Sequence, residues 1–431
     1  MLTDTGHYTI RPGRASDVDD LARLQAAVQL QAVTGGAPHA GIAAWVEDLL
    51  DGHPTVTPDD FLVAEDTATG RPAASLVALR QEWDLAGVRL PVVQVELVGT
   101  TPQHRGNRLT ERLFAALHQR CDEGGVLVQM IEGIPYFYRR LGYEYALAND
   151  GAPSVPATAL AAGEGHASVR PAAVTDAEAL AKIDLRLTEG TALTCPRDAA
   201  TWRYEIAGRR PGDLARREVA VLDDGTGVRG YLVHSARLSG AGELVVFAAG
   251  CADPGDWPAA ARAMLGYAGG RHAAAGEFTG LRLLLDPEHP LARFGPPGVP
   301  ARQRGWYVRI GDPAGLLGHL LPVLRERWQA AGLRWPEPAL TIDLYGRAAR
   351  LEFTAGELTA VRAVPGVVSP ATDPAVHAAV PPGALPQLAL GHRTVAQVLD
   401  TWPDFLLRDR LTEQFLTAAF PRVPVRVWPR N

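Results

Sequence analysis

The sequence predicts a mixed α/β protein built from more than one unit, and three observations predict it. A β-branched run, Val95–Gly99, leads through a glycine-bearing turn into apolar residues at helical spacing: Leu109, Leu113, Ala116 and Leu117. The pattern Ile10-Arg11-Pro12 with Asp17, Leu21 and Leu24 returns as Val169-Arg170-Pro171 with Asp176, Leu180 and Ile183, each pair 159 positions apart. A repeat of that length is a duplicated domain and not a solenoid. Further on, Ala339–Leu344, Ala348–Phe353 and Glu357–Val364 read as sequential antiparallel strands turned at Gly346 and Gly356.

With 431 residues, two or three domains are expected. A composition 47% hydrophobic and 21% charged is that of an ordinary globular protein with large cores. The net charge of −6 argues against a general nucleic-acid binder. Cys121, Cys195 and Cys251 are scattered without metal-ligand spacing, which suggests reduced thiols in a cytoplasm. No apolar run approaches the ~20 residues of a membrane span, and MLTDTGHYTI has no signal-peptide pattern. A cytoplasmic protein with no membrane contact is the expectation.

Taken in order, Tyr8–Arg11 is a strand, and Asp17–Gln31 an amphipathic helix with Ser16 as N-cap. A helix over Ala40–Leu50, a strand over Asp60–Glu65 and a hairpin of Ala73–Trp83 with Val92–Gly99 follow. Gly125–Ile131 is the next strand, and 133–145 a short helix with a final strand. Residues 148–166, rich in Ala, Gly and Pro, read as a linker. The second copy brings strands at Arg217–Leu222, Gly230–Leu238 and Glu243–Gly250, then a helix over Trp257–Gly269. From about Trp306 come a helix over Leu316–Trp328, the three strands above, a strand at Leu385–Leu390, and helices at Thr394–Asp400 and Leu406–Phe420.

The strand–turn–helix over Val95–Leu117 is an anion cradle. The first backbone N–H groups of a helix have no partner within it, and the macrodipole leaves positive charge there. Arg105, Arg108 and Arg112 add formal charge, unless they are simply solvated surface. The equivalent loop of the second copy, CADPGDWPAAA, has no basic residue and carries Asp253 and Asp256, so it would repel phosphate. Among the histidines, His104 lies in the cradle, and none has H-x-x-H or H-E-x-x-H spacing, so no metal is expected. There is no G-x-x-x-x-G-K-[ST] loop and no G-x-S-x-G elbow.

Gln103-His104-Arg105-Gly106-Asn107-Arg108 resembles the Q/R-x-x-G-x-G/A acetyl-CoA loop of the GNAT acetyltransferases, with Arg108 where Gly or Ala is usual. Phe137-Tyr138-Arg139-Arg140-Leu141-Gly142-Tyr143 resembles their Y-x-R-F-G-Y signature, with Leu141 in place of Phe. The whole-chain plan is similar to that of the Eis-type acetyltransferases. That resemblance implies two GNAT-type mixed-sheet domains and a C-terminal sterol-carrier-like α/β domain. The units are an active domain at 1–150, a linker at 151–166, a degenerate second domain at 167–312 and the third domain at 313–431.

By the resemblance, acetyl-CoA is the co-substrate. The backbone of Val98, Gly99 and Thr100 would pair with pantetheine, and Arg105, Gly106, Asn107, Arg108, Leu109 and Thr110 would face the diphosphate. Tyr138 matches the general acid; the other reading is a packed aromatic. For the base there are two candidates, the C-terminal carboxylate of Asn431 and Glu96. Strand parity puts Glu96 on the face of Val98 and Thr100; it could equally form a structural salt bridge. The implied function is acetyl transfer to an amine of a small molecule (aminoglycoside-like or polyamine-like) or to an exposed lysine, in a homo-oligomer. The alternative is a non-catalytic acyl-CoA or lipid-binding module, with Leu406, Leu407, Leu411, Phe415 and Leu416 either lining an apolar site or packing as core.

Overall fold

The structure is a computed structural model and describes residues 7–30, 35–148, 151–160, 169–190, 192–272, 276–301, 305–367 and 371–428. The chain is mixed α/β, with three sheets covered by helices. The first sheet begins with β1 (Tyr8–Pro12), β2 (Phe61–Asp66), β3 (Arg71–Leu85), β4 (Val88–Thr100), β5 (Val128–Ile131) and β6 (Glu144–Ala148). Its helices are α1 (Val18–Val28), α2 (Ala40–Leu50) and α3 (Leu109–Glu123). Strand alternation assigns them to faces: Val77 and Leu79 pack with α1 and α2, while Leu76 and Ala78 pack with α3.

Among β1 to β5 the pairing is antiparallel except between β4 and β5, which run parallel from Val92/Val128 to Val95/Ile131. There β5 ends, and β4 continues alone on that side through Glu96–Thr100. The sheet therefore opens like a V.

The second sheet contains β7 (Val155–Pro156), β8 (Val169–Pro171), β10 (Arg217–Asp223), β11 (Val228–Ser235), β12 (Glu243–Cys251) and β13 (Gly280–Leu283), while β9 (Leu193–Thr194) joins the first sheet at β3. Part of the stretch expected as a linker is thus the edge strand β7, paired with β13. The 159-residue repeat has a physical counterpart. Arg11 Nη1 donates to Asp17 Oδ2 at 2.7 Å, and Arg170 Nη1 to Asp176 Oδ2 at 2.8 Å. In the first copy Asp17 also accepts the Arg14 N–H, so it, and not Ser16, terminates the turn entering α1. The strand β14 (Gly305–Arg309), not foreseen from the sequence within the stretch 167–312, inserts between β5 and β6 of the first sheet.

The third sheet holds β15 (Ala339–Asp343), β16 (Arg347–Thr354), β17 (Glu357–Pro365), β18 (Ala378–Ala379) and β19 (Leu406–Leu407). Trp328, Trp335, Phe353 and Phe415 fill its core with ring contacts of 5.0–5.9 Å. Three expectations fail here. The helix over 316–328 is two helices, Pro313–His319 and Leu321–Ala330, because Pro322 cannot donate into a continuous ladder. Leu385–Ala389 is helical, not a strand, with Pro386 in its first turn. The helix expected from Leu406 starts at Arg410, where Asp409 caps it by accepting from Thr412 N at 2.8 Å. A last strand, β20 (Val425–Arg426), runs parallel to β9 and so attaches to the first sheet through it.

Candidate active site

The V in the first sheet is flanked by the start of α3. The turn from Thr101 passes through Gly106 at φ +87° and Arg108 at φ +55°, and α3 begins at Leu109. Its first intrahelical bond is Arg112 N to Arg108 O, which leaves the N–H groups of Leu109, Thr110 and Glu111 outside the helix ladder.

The left-handed backbone at Arg108 accounts for the Gly that the acetyl-CoA loop usually has there, since a side chain in that region costs about 1–2 kcal/mol. Arg108→Gly is accordingly expected to raise stability by ~0.5–1 kcal/mol. A thermal melt checks this, and a fall in Tm would contradict the strain.

A cleft of about 410 Å³ collects eight of the nine positions expected to hold a cofactor: Val98, Gly99, Thr100, Arg105, Gly106, Arg108, Leu109 and Thr110. Asn107, the ninth, turns to Tyr8, donating to its hydroxyl at 3.2 Å and to His104 O at 3.0 Å. Arg112 also faces away from the cradle and donates to Tyr8 O at 2.9 Å. His104 lines the cleft, with Nδ1 2.9 Å from the Tyr8 hydroxyl.

Tyr138 lines the same cleft, on a 3-10 turn over Phe137–Leu141. Its ring is 5% exposed and packs against Phe114, Tyr143 and Tyr307. A Cβ at Gly133 would lie 2.6 Å from that ring, so the close approach requires glycine. Burial pushes the phenol above its ordinary pKa, with the charge of Glu96 adding to the effect, so the hydroxyl stays protonated. Its hydroxyl has no hydrogen-bond partner among the described residues. Both readings of Tyr138 therefore meet in one side chain: a packed ring, and a protonated hydroxyl at the cleft.

Glu96 departs from the parity expectation. β4 has a bulge at Leu97, which sits at φ +50°, and Leu97 and Val98 together face one residue of β3 between Val77↔Glu96 and Ser75↔Gly99. Alternation breaks there: Leu97 packs with the α1–α2 side and Val98 with the α3 side. Glu96 points the same way as Gln94, whose Nε2 donates to it at 2.7 Å, and so opposite to Val98. Burial pushes its carboxyl up to about 8; Glu132 pushes in the same direction and Arg217 opposes.

Arg217 comes from the second unit. Its guanidinium is 3.6 Å from Glu205 and lies over the rings of Phe247 and Trp428. Trp428 belongs to the C-terminal tail, where its ring is stacked 3.1 Å from the Arg197 guanidinium and its backbone N–H donates to Cys195 Sγ. Asn431 lies outside the described residues; the tail is described to Trp428, beside the same arginine that acts on Glu96.

Tyr307 on β14 was not foreseen. It is fully buried, stacks on Tyr145 at 3.9 Å, meets Tyr138 edge-on, and accepts from Tyr136 N at 2.5 Å. It lies 169 positions beyond Tyr138, and no local pattern signals such a contact. In the second unit, Asp253 Oδ1 accepts from Gly255 N at 2.8 Å, so a carboxylate occupies the loop where the first unit has its cradle.

Residues 9–146 match the acetyltransferase (GNAT) domain family. The chain thus carries a GNAT acetyltransferase domain and is an acyltransferase. No curated protein matches its sequence. Among solved structures, its fold is similar to a GCN5-related N-acetyltransferase from Anabaena variabilis ATCC 29413, with TM-score 0.67, 13% identity and 98% of each chain covered. It is similar to Eis1 from Mycobacterium abscessus, with TM-score 0.62, 16% identity and 100% of each chain covered. It is also similar to Saccharomyces cerevisiae N-myristoyltransferase with bound myristoyl-CoA, at TM-score 0.51 and 13% identity, over 71% of this chain and 80% of that one. At such identities the likeness is one of fold. No helix among the described residues is long and apolar enough to cross a membrane.

Proposed function

We propose that the protein is an acetyl-CoA-dependent N-acetyltransferase whose acceptor is an amine on a small molecule, aminoglycoside-like or polyamine-like, or an exposed lysine. The observation that carries this is one cleft bringing together the free edge of β4, the N-terminus of α3 and Tyr138. The edge suits pantetheine amides as an added strand, and the helix start suits a diphosphate. The three-domain Eis-like plan, with a sterol-carrier-like C-terminal domain, belongs to the same reading, as do a homo-oligomeric assembly, a cytoplasmic location and partners limited to small molecules or protein amines. Full-length similarity of fold to Eis1 supports that plan.

In this reaction a free amine attacks the thioester carbonyl carbon, forming a C–N bond and an oxyanion, and collapse breaks the C–S bond. A primary amine has a reference pKa of about 10.4 and a thiol about 8.5, so a proton must leave the amine and one must reach the sulfur. Tyr138 supplies the proton to the thiolate. Glu96, acting through water, or the α-carboxylate of Asn431 receives the proton from the amine.

The test is CoA thiol release from acetyl-CoA with a panel of an aminoglycoside, a polyamine and a lysine peptide. Amine-dependent release is expected. No release with any amine, together with binding of acyl chains, would replace this reading with the acyl-CoA or lipid-binding module.

A further inference from the structure

Gln25 on helix α1 and Gln29, the residue that follows its last turn, both face the β4 bulge. Gln25 is fully buried. Its Nε2 donates to Leu97 O at 2.5 Å and to Ser75 Oγ at 2.9 Å. Gln29 Nε2 donates to Val98 O at 2.9 Å and to Gln25 Oε1 at 2.9 Å. Both N–H groups of each amide are thereby used, and the orientation is forced, because a flipped amide would set its oxygen against a backbone carbonyl. Gly99 lies under the pair: a Cβ there would be 2.5 Å from Val28 and 3.0 Å from Gln25 Oε1.

The two carbonyls they hold are those of the bulge. A non-glycine residue at φ +50° is costly and persists only where its surroundings hold it. In a planar trans peptide the C=O and N–H point opposite ways. Holding Leu97 O toward α1 therefore turns the Val98 N–H away from α1, and Val98 lines the cleft in which Tyr138 sits. Thioester aminolysis gains most from a donor fixed in advance where the oxyanion forms.

We propose that Gln25 and Gln29 are positioning residues that lock the β4 bulge and so aim the Val98 N–H at the thioester carbonyl. This rests on the acetyl-CoA reading above. Gln29 also lines the cleft, whereas Gln25 lies beneath it and touches only Ser75, Leu97 and Gln29, so Gln25 acts on the transition state and not on cofactor binding.

Gln25→Met is the variant of choice, since Gln25 is fully buried and outside the cleft lining whereas Gln29 lines it; methionine keeps the volume, and a thermal melt shows that the variant folds. The expected result is a fall in kcat of about tenfold, less than the loss of a whole oxyanion donor. KM for acetyl-CoA and the calorimetric Kd for CoA should stay within twofold. The carbonyl stretch of bound ¹³C-acetyl-CoA should move back toward its value in water. Unchanged kcat, an unshifted carbonyl stretch, or a loss appearing wholly in the Kd would overturn the proposal while leaving the acetyl-CoA reading standing. Failure of the wild-type protein to bind CoA would overturn both.

Discussion

Tyr138→Phe is expected to lower kcat by roughly 10²–10⁴-fold, the usual contribution of a positioned proton donor. The substitution is clean. The phenyl ring keeps its packing against Phe114, Tyr143 and Tyr307. No hydrogen bond is lost among the described residues, because the hydroxyl makes none there. Stability and CoA affinity should therefore match the wild type while turnover collapses. The pH profile adds a second readout: burial holds the phenol above its ordinary pKa, so the wild-type donor stays protonated through the neutral range. Steady-state kinetics with calorimetry of CoA binding check both points. Near-normal turnover would leave Tyr138 as a packed aromatic only.

The second large effect separates the two bases. With Glu96 as base, kcat/KM rises with pH as its carboxyl ionises near 8, and Glu96→Gln removes that rise along with roughly 10²–10⁴-fold of rate. With the C-terminal carboxylate as base, deleting Pro429–Asn431 produces the loss and Glu96→Gln does not. Linkage gives an independent check on the shift itself. A carboxyl raised from an unfolded pKa near 4.3 to about 8 in the folded state contributes stability that is complete at low pH. That contribution declines as pH rises through the window and is gone above about 8. Glu96→Gln should therefore melt like the wild type below pH 4 and at a higher temperature above pH 8. Coincident melts across the range would show that the carboxyl is not raised.

Much of the cradle was legible because it is local. Strand, turn and helix lie within Val95–Leu117, and each is signalled by its own residues: β-branched side chains, Pro102 and Gly106, then apolar spacing of 3.6. The repeat was legible for a similar reason, since the Arg–Asp clamp at 11/17 and 170/176 spans only six positions. Proline and short apolar runs misled where tertiary context decides, as at Pro322 and Leu385–Ala389.

Glu96 illustrates the limit most sharply. Period-two alternation assigned it a face, and one extra residue in β4 reversed the relation to Val98. Nothing in VELVGT announces that bulge. It is held from the side of α1 by Gln25 and Gln29, some 70 positions away, which in sequence look like two polar residues in an amphipathic helix. Tyr307 and Arg217 reach the site from still greater separations.

The sequence by itself determined the strand–turn–helix at Val95–Leu117, the 159-residue repeat and the mixed α/β class, because these follow from short-range patterns and backbone chemistry; Tyr138 as acid candidate rested on the resemblance of 137–143 to the family signature. Only the tertiary structure decided which way Glu96 points, which strand closes the first sheet beyond β5, and which side chains brace the bulge. Those depend on packing between distant segments, and hydrophobic burial specifies that a residue goes inside without naming its neighbour.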